Sequence, residues 1–150
     1  LSYARTMADK IVTRARGPDA KGRQPRALTQ QAFRAARRYL AGEPSFCDLD
    51  GYCLEASVLM HKYLVKRGVD AKLVRYENRK IGGHFTVRVP EGEFDPTIGC
   101  WKDAPRAAKC NVLYPVTPQS PHRRWRRTAV NKKAAYESVW TKGFDGNARR

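Results

Sequence analysis

The clearest hydrophobic pattern of the chain lies between residues 52 and 67. Apolar side chains recur there at intervals of three and four positions, which is the period of an α-helix with one buried face. These side chains are Cys53, Ala56, Leu59, Met60, Tyr63 and Leu64. Gly68 follows, at the place where a glycine commonly ends a helix. The pattern therefore predicts a core helix from about Tyr52 to Arg67.

Helical periodicity also occurs towards both ends of the chain. It predicts one helix over residues 2–14 and a second that begins at a Thr29 cap and stops before Gly42. A basic loop that contains glycine and proline separates them over residues 15–27. Residues 132–140 are predicted to form a last short helix.

Short segments rich in β-branched and aromatic residues come after the core helix and predict strands. The predicted strands are 71–76, 84–89, 93–95 and 111–116. Glu91-Gly92 is a hairpin turn signal between two of them. Pro115 places the last strand at a sheet edge, because proline has no N–H to donate. A run of helices followed by a run of strands predicts an α+β fold.

Composition and charge divide the chain into three parts. Its 150 residues, 41% of them hydrophobic, suit one globular domain over residues 1–150. The formal net charge of +16 is concentrated at the two ends. We therefore expect a basic helical part over about 1–42, a near-neutral core that carries any chemistry over about 43–117, and a basic C-terminal part over about 118–150.

The densest cluster of charge lies in the C-terminal part and predicts a binding surface. Its residues are Arg123, Arg124, Trp125, Arg126 and Arg127. Such cations could hold phosphates while the indole stacks on a base, so non-specific nucleic-acid contact is one expectation. An acidic protein surface is a second expectation, and a disordered basic arm is a third. No nucleic-acid-binding signature spans the rest of the chain.

Membrane and targeting signals are missing from the sequence. No apolar run approaches the roughly 18 residues that span a bilayer, and no charged-then-apolar leader begins the chain. The chain begins with Leu1, so we expect a processed protein or a segment of a longer polypeptide. We expect a soluble protein whose location is open, including secretion or delivery into the cytoplasm of a target cell.

Candidate chemistry appears where the core helix begins. Cys53 lies in its first turn, where unpaired backbone N–H groups favour a thiolate and could hold an oxyanion. His84, at a strand start after two glycines, could accept the thiol proton. Asp95, on the next predicted strand, could orient the histidine ring. The order of the three residues predicts a nucleophile, a base and an orienting carboxylate.

The separation between His84 and Asp95 is the critical point of that prediction. If Glu91-Gly92 is a two-residue turn, Asp95 pairs with Arg88 and lies roughly 13 Å from His84 along the strands. A longer loop or a bulge would bring the two side chains together. Otherwise another group orients the ring, and the alternatives are Asp48, Asp50 and Asn78.

The remaining cysteines allow several pairings. An even count of four permits two disulfides, but a nucleophilic Cys53 must stay free. Cys100–Cys110 is then the most plausible bridge, since it closes a short loop. Cys47 is a rival nucleophile that lacks the helix start, and we expect it to line the site loop or to pair elsewhere.

The two other histidines and a possible metal site do not change the predicted set of catalytic residues. His61, in the middle of the core helix beside Lys62, is expected at the surface, and His122 has no evident role. A zinc site is conceivable but its C-x₅-C spacing is unfamiliar, so we expect neither a metal nor a cofactor. The conceivable zinc ligands are Cys47, Cys53, His61 and His84.

Four segments between residues 51 and 97 follow the order of a known family. They are Gly51-Tyr-Cys-Leu-Glu-Ala56, Arg67-Gly-Val-Asp-Ala-Lys-Leu-Val74, Gly83-His-Phe-Thr-Val87 and Phe94-Asp-Pro-Thr97. In these segments the chain resembles the transglutaminase-like branch of the papain-like cysteine-enzyme superfamily. The resemblance implies a nucleophile helix packed on a small antiparallel sheet. It also implies Cys53 as nucleophile, His84 as base and Asp95 as orienter; Thr86 stands where the family commonly has Trp.

The same resemblance implies acyl transfer on amide groups through a thioester. We expect a protein glutamine deamidase or transglutaminase of toxin or effector type, acting on a protein substrate with an acidic surface. A toxin of this kind would have an inhibitor or immunity protein as a further partner. The alternatives are a cysteine protease of the same fold and a non-catalytic basic module that binds nucleic acid or protein.

Overall fold

The computed structural model describes residues 24–41, 52–80, 82–101, 111–141 and 143–144. The helices are α1 (Ala27–Leu40), α2 (Cys53–Lys66) and α3 (Lys132–Glu137), and the strands are β1 (Lys72–Asn78), β2 (Gly82–Val89), β3 (Gly92–Asp95), β4 (Tyr114–Pro115) and β5 (Arg126–Thr128). Two 3-10 turns cover Ile98–Cys100 and Pro121–Arg124. The helix predicted over residues 2–14 lies outside the described residues.

The five strands form one sheet in the order β4-β3-β2-β1-β5, and all neighbouring strands are antiparallel. The two-residue strand β4 is at one edge, as Pro115 predicted. At the other edge β5 pairs with β1, with Arg127 opposite Tyr76. The sequence predicts no strand there, because its cluster of arginines has no alternating apolar pattern.

Helices α1 and α2 pack together on the sheet and form the main core with it. Alternate residues of β2 and β3 contribute to that core, which includes Phe33, Leu59, Met60, Leu64, Val87, Val89 and Phe94. α2 matches the predicted core helix, and Gly68 after it has a φ of 82°, as a helix-ending glycine does. The α+β prediction is confirmed: two helices pack on a five-stranded antiparallel sheet. No helix in the described part of the chain has the length and apolar character needed to cross a membrane.

The start of α1 differs from the predicted Thr29 cap. The helix begins at Ala27, and Arg26 before it makes no side-chain cap. Instead, the buried carboxylate of Glu91 accepts hydrogen bonds from the Arg26 N–H at 3.1 Å and from the Thr29 hydroxyl at 2.6 Å. A carboxylate is also favoured by the positive end of the helix dipole. An acid 62 residues away from Thr29 thus holds this helix end, which local sequence could not indicate.

The hairpin between β2 and β3 turns one position earlier than predicted. Val89 pairs with Gly92, so Pro90 and Glu91 form the turn and Arg88 faces Glu93. Proline suits this position because its φ is fixed and it has no N–H for the ladder. Gly92, with a φ of 153°, takes a backbone conformation that other residues rarely adopt. The pairing of Asp95 with Arg88 that a Glu91-Gly92 turn would produce therefore does not occur.

Replacing Glu91 tests this link between α1 and the hairpin. We expect Glu91→Ala to lower the free energy of unfolding by about 1–3 kcal/mol, because it leaves the buried Thr29 hydroxyl and the partly buried Arg26 N–H without their acceptor. Glu91→Gln keeps an acceptor oxygen and should cost less. Urea unfolding measures both, with Glu137→Ala at an exposed acid as the control. A loss for Glu91→Ala no larger than that of the control would contradict the role of this carboxylate.

Candidate active site

Cys53 is the first residue of α2, as the sequence predicts. Its thiol is free and partly exposed. The first intrahelical hydrogen bond runs from the Ala56 N–H to the Tyr52 carbonyl, so the N–H groups before Ala56 point out of the helix end. These groups and the helix dipole favour negative charge at this place. The helix therefore offers the thiol the environment that a nucleophile needs.

His84 connects Cys53 to Asp95. It is the third residue of β2, and only 1% of its surface is exposed. Its Nε2 lies 2.5 Å from Asp95 Oδ2, and its side chain also forms a hydrogen bond with Cys53. With Nε2 occupied by Asp95, the ring nitrogen left for the thiol is Nδ1. The predicted order of thiol, imidazole and carboxylate is present in three dimensions.

The observed register explains why Asp95 reaches His84. Val87 pairs with Phe94, so the next position along the ladder sets Asp95 beside Thr86, two residues from His84. Such diagonal neighbours on one sheet face lie about 7–8 Å apart, within reach of an imidazole and a carboxylate. The predicted separation of roughly 13 Å was too long by about two residues of strand.

Asp95 is fully buried and accepts hydrogen bonds on both oxygens. Oδ1 accepts from the backbone N–H of Thr97 at 2.9 Å and of Ile98 at 3.0 Å. Pro96 ends the strand and the chain then turns back, so that these two N–H groups point at the carboxylate. Oδ2 accepts from His84 and from a second histidine, His122.

His122 also belongs to this site, although the sequence predicts no role for it. It lies in the 3-10 turn Pro121–Arg124, and its Nε2 is 2.6 Å from Asp95 Oδ2. Its Nδ1 is 2.9 Å from the Ser120 hydroxyl oxygen. The contact with Asp95 spans 27 residues. Neither periodicity nor a motif marks it; the only signal in the sequence is a histidine beside a serine and a proline.

The two buried charges shift each other's proton affinity. Burial lowers the pKa of His84, but the charge and the hydrogen bond of Asp95, together with the bond to Cys53, outweigh it and raise this pKa to about 10. Burial raises the pKa of Asp95, but its interactions with His84 and His122 hold it well below its usual range. His84 is therefore an imidazolium at neutral pH, which stabilises a thiolate next to it.

Two tryptophans flank the His84 ring. Trp101 meets it edge-on with ring centroids 4.8 Å apart, and Trp125 does so at 5.3 Å. The two indoles lie 5.4 Å apart with their planes only 30° from parallel. Both are partly exposed, so they form an aromatic border between the buried imidazole and solvent. Trp125, predicted as a stacking residue for nucleic acid, is thus part of the wall around His84.

The arginines of the predicted basic surface have different environments. Arg126 binds Glu77 at 2.9 Å and Arg127 binds Glu93 at 2.7 Å, which attaches β5 to the sheet. The exposed ones within the 3-10 turn are Arg123 and Arg124. The nucleic-acid contact stays a prediction.

A second polar cluster supports the first. Glu93 Oε2 accepts hydrogen bonds from the Tyr76 hydroxyl at 2.5 Å and from the Thr86 hydroxyl at 2.6 Å, while Arg127 binds its other oxygen. Burial, with the charge of Glu93, raises the pKa of Tyr76. Tyr76 therefore stays protonated, and its ring packs on His122 with centroids 5.4 Å apart.

His61 is buried, so the prediction that it lies at the surface is wrong. Its Nε2 donates to the Ala71 carbonyl at 2.9 Å and its Nδ1 accepts from the Tyr136 hydroxyl at 2.6 Å. Burial lowers its pKa. Both ring nitrogens are used by these bonds, and His61 thus links α2 to the residue before β1 and to α3.

Of the other candidates for the site, Asn78 has a different hydrogen-bond partner, and four lie outside the described part of the chain. The alternative orienter Asn78 accepts a hydrogen bond from the Lys80 N–H at 2.9 Å, whereas Asp95 accepts the hydrogen bond of His84 Nε2. The residues that lie outside the described part of the chain are Cys47, Asp48, Asp50 and Cys110. The predicted Cys100–Cys110 bridge therefore has one partner outside it.

The cluster of His84, Asp95 and His122 also resembles a set of metal ligands, because its donor atoms lie within 4.8 Å of one another. Zinc bonds of about 2.0 Å in a tetrahedron would separate two ligand atoms by about 3.3 Å. Here each Nε2 is 2.5–2.6 Å from Oδ2, which is hydrogen-bonding distance. The three groups satisfy one another directly.

Comparison of the chain with protein-family models, with curated proteins and with solved structures gives no match. The interpretation of the site therefore depends on its own geometry and chemistry.

The shifted pKa of His84 predicts an alkaline loss of stability. Since the pKa is about 10 in the folded protein and about 6.5 when unfolded, the stabilisation is complete below about pH 6.5 and is lost as the pH rises through about 10. Asp95→Asn removes the main cause of the raised pKa and should flatten this dependence. Urea midpoints measured between about pH 6 and about pH 10 test it.

His61→Gln is the control for that comparison. Because burial lowers the pKa of His61, its removal takes away no alkaline loss, and this variant should keep the wild-type slope. Parallel losses of stability in wild type and Asp95→Asn would contradict the assignment.

Proposed function

We propose that this protein is a thiol-dependent acyl-transfer enzyme that acts on amide groups, of the protein glutamine deamidase or transglutaminase kind. The observation that carries the proposal is the hydrogen-bonded series of Cys53, His84 and Asp95, with the thiol at a helix start and the carboxylate buried. A helix that begins with the nucleophile and packs on antiparallel strands bearing the base and its orienter supports a papain- or transglutaminase-like arrangement.

The site supplies each part of a two-step acyl transfer. The Cys53 thiolate attacks the amide carbonyl carbon, and the N–H groups at the start of α2 stabilise the oxyanion that forms. The C–N bond breaks as the His84 imidazolium gives its proton to the leaving nitrogen, which leaves a thioester and a neutral imidazole. His84 then takes a proton from water or from an amine as that molecule attacks the thioester, and the thiolate is released.

The surroundings of the thiol support a side chain on a protein as substrate. Cys53 is partly exposed while His84 and Asp95 are buried, so the substrate approaches from the thiol side. The partly exposed indoles of Trp101 and Trp125 offer apolar surface for the methylene groups of a glutamine. The exposed Arg123 and Arg124 and the net charge of +16 favour a substrate with an acidic surface.

Alkylation of Cys53 tests the first requirement of this function. We expect iodoacetamide at mildly acidic pH to modify Cys53 at least about 10-fold faster than the other cysteines, because Cys53 lies at the start of α2 beside the imidazolium of His84. His84→Ala should abolish the difference, whereas His61→Gln should keep it. Peptide mass mapping after timed exposure measures each site. Equal rates at all four cysteines would overturn the proposal.

Turnover of a glutamine-rich protein tests the second requirement, with casein as the probe. Deamidation, crosslinking and proteolysis are separated by intact mass: exchange of an amide for a carboxyl group, joined chains, or fragments. Cys53→Ala should abolish the reaction, and His84→Ala should slow it by about 10²–10⁴-fold through loss of general acid–base catalysis. Equal rates for wild type and Cys53→Ala would show that the thiol has no part in the reaction.

A further inference from the structure

The Oδ2 atom of Asp95 accepts hydrogen bonds from two imidazoles, His84 at 2.5 Å and His122 at 2.6 Å. We propose that His122 is a positioning residue of the acyl transfer: it fixes the Asp95 carboxylate and shares its acceptor oxygen, which limits how strongly Asp95 holds the His84 proton. This inference rests on the proposed function of Cys53 and His84. It assigns to His122 a role in the proton transfer although His122 itself is hydrogen-bonded to Asp95 rather than to the thiol.

The hydrogen bond of His122 to Asp95 requires a proton on Nε2. Asp95 is ionised, so it can only accept, and Nε2 of His122 must donate to it. Nδ1 lies 2.9 Å from the Ser120 hydroxyl oxygen. That hydroxyl is itself held between the N–H and the carbonyl of Thr117, at 3.1 and 2.8 Å. The Thr117–Ser120 turn therefore holds the imidazole with Nε2 directed at Asp95.

Two aromatic rings pack against the imidazole of His122 and restrict the orientation of its plane. Trp125 meets the ring edge-on with centroids 4.9 Å apart, and Tyr76 packs on it at 5.4 Å. The residue is buried, so water does not compete for its bond with Asp95. His122 holds Oδ2 of Asp95, while the N–H groups of Thr97 and Ile98 hold Oδ1. Because both oxygens are held, the carboxylate has a fixed orientation.

Sharing Oδ2 matters because His84 has to release a proton during the reaction. The leaving nitrogen takes that proton when the C–N bond breaks. If Asp95 accepted a hydrogen bond from His84 alone, that single charge-assisted bond would be stronger. It would hold the imidazolium proton of His84 more tightly. A second donor on the same oxygen draws part of that charge away. His122 thus keeps His84 oriented and still able to act as an acid.

The other groups near His84 do not replace this effect. Cys53 at the start of α2 is the reacting thiol itself. Tyr76, which pairs with His84 across β1 and β2, donates its hydroxyl hydrogen bond to Glu93. Glu93 in turn forms an ion pair with Arg127, so its charge is neutralised by that partner. Among the described residues, His122 is the side chain from outside the sheet and α2 that donates to Asp95 Oδ2.

The test compares His122→Leu, which removes the donor, with His122→Gln, which keeps an N–H at a similar reach. NMR of histidine-labelled protein follows the N–H signals of the two His–Asp bonds and the titration of His84. We expect two low-field N–H signals in wild type, both lost in Asp95→Asn. In His122→Leu one signal remains and the His84 pKa rises by about one unit, because Asp95 then binds one donor only. His122→Gln should restore a value close to that of wild type.

A purely structural role for His122 predicts the opposite shift. Loss of packing alone would loosen the His84–Asp95 bond and move the His84 pKa down towards about 6.5. A downward shift or no shift in His122→Leu overturns the proposal, as does a single low-field N–H signal in wild type, a result that needs no variant to fold. Failure of the proposed function is separate: it appears as a Cys53 that iodoacetamide modifies no faster than the other cysteines, whatever His122 does.

Discussion

The buried carboxylate of Asp95 is the group on which the rest of the site depends. A charge without any exposed surface is costly to keep inside a protein unless hydrogen bonds replace its water. Asp95 has such bonds from two histidines on Oδ2 and from two backbone N–H groups on Oδ1. The donors come from β2, from the chain after β3 and from the Pro121–Arg124 turn. The requirement to satisfy one anion therefore joins three separate parts of the chain.

The hairpin turn that places Asp95 also anchors α1. Pro90 and Glu91 form the turn, and the Glu91 side chain holds the start of α1 through Arg26 and Thr29. A turn moved by one position would shift the pairing of β2 and β3 by two residues. Asp95 would then leave His84, and Glu91 would leave α1. The interaction that stabilises the helix end is thus also one that fixes the geometry of the site.

The sequence predicted the parts of this structure that local patterns determine. α2 and its first residue Cys53 follow from apolar spacing, and His84 follows from a strand start after two glycines. The distance from His84 to Asp95 was misjudged because a turn signal of two residues does not fix which two residues turn. His122 and the Glu91–Thr29 bond could not be predicted, since each depends on a contact between distant segments that no local preference encodes.

The site combines a buried proton donor with a thiol that solvent can reach. His84 lies behind the indoles of Trp101 and Trp125, where low polarity strengthens its interactions with Asp95 and with the thiol. That strength has two sides: it keeps the imidazole charged and oriented, but it also opposes release of the proton that the leaving nitrogen needs. An acceptor oxygen shared by two imidazoles moderates the second effect without loosening the first. The geometry around Asp95 is therefore better understood as a balance of proton affinities than as a simple series of three residues.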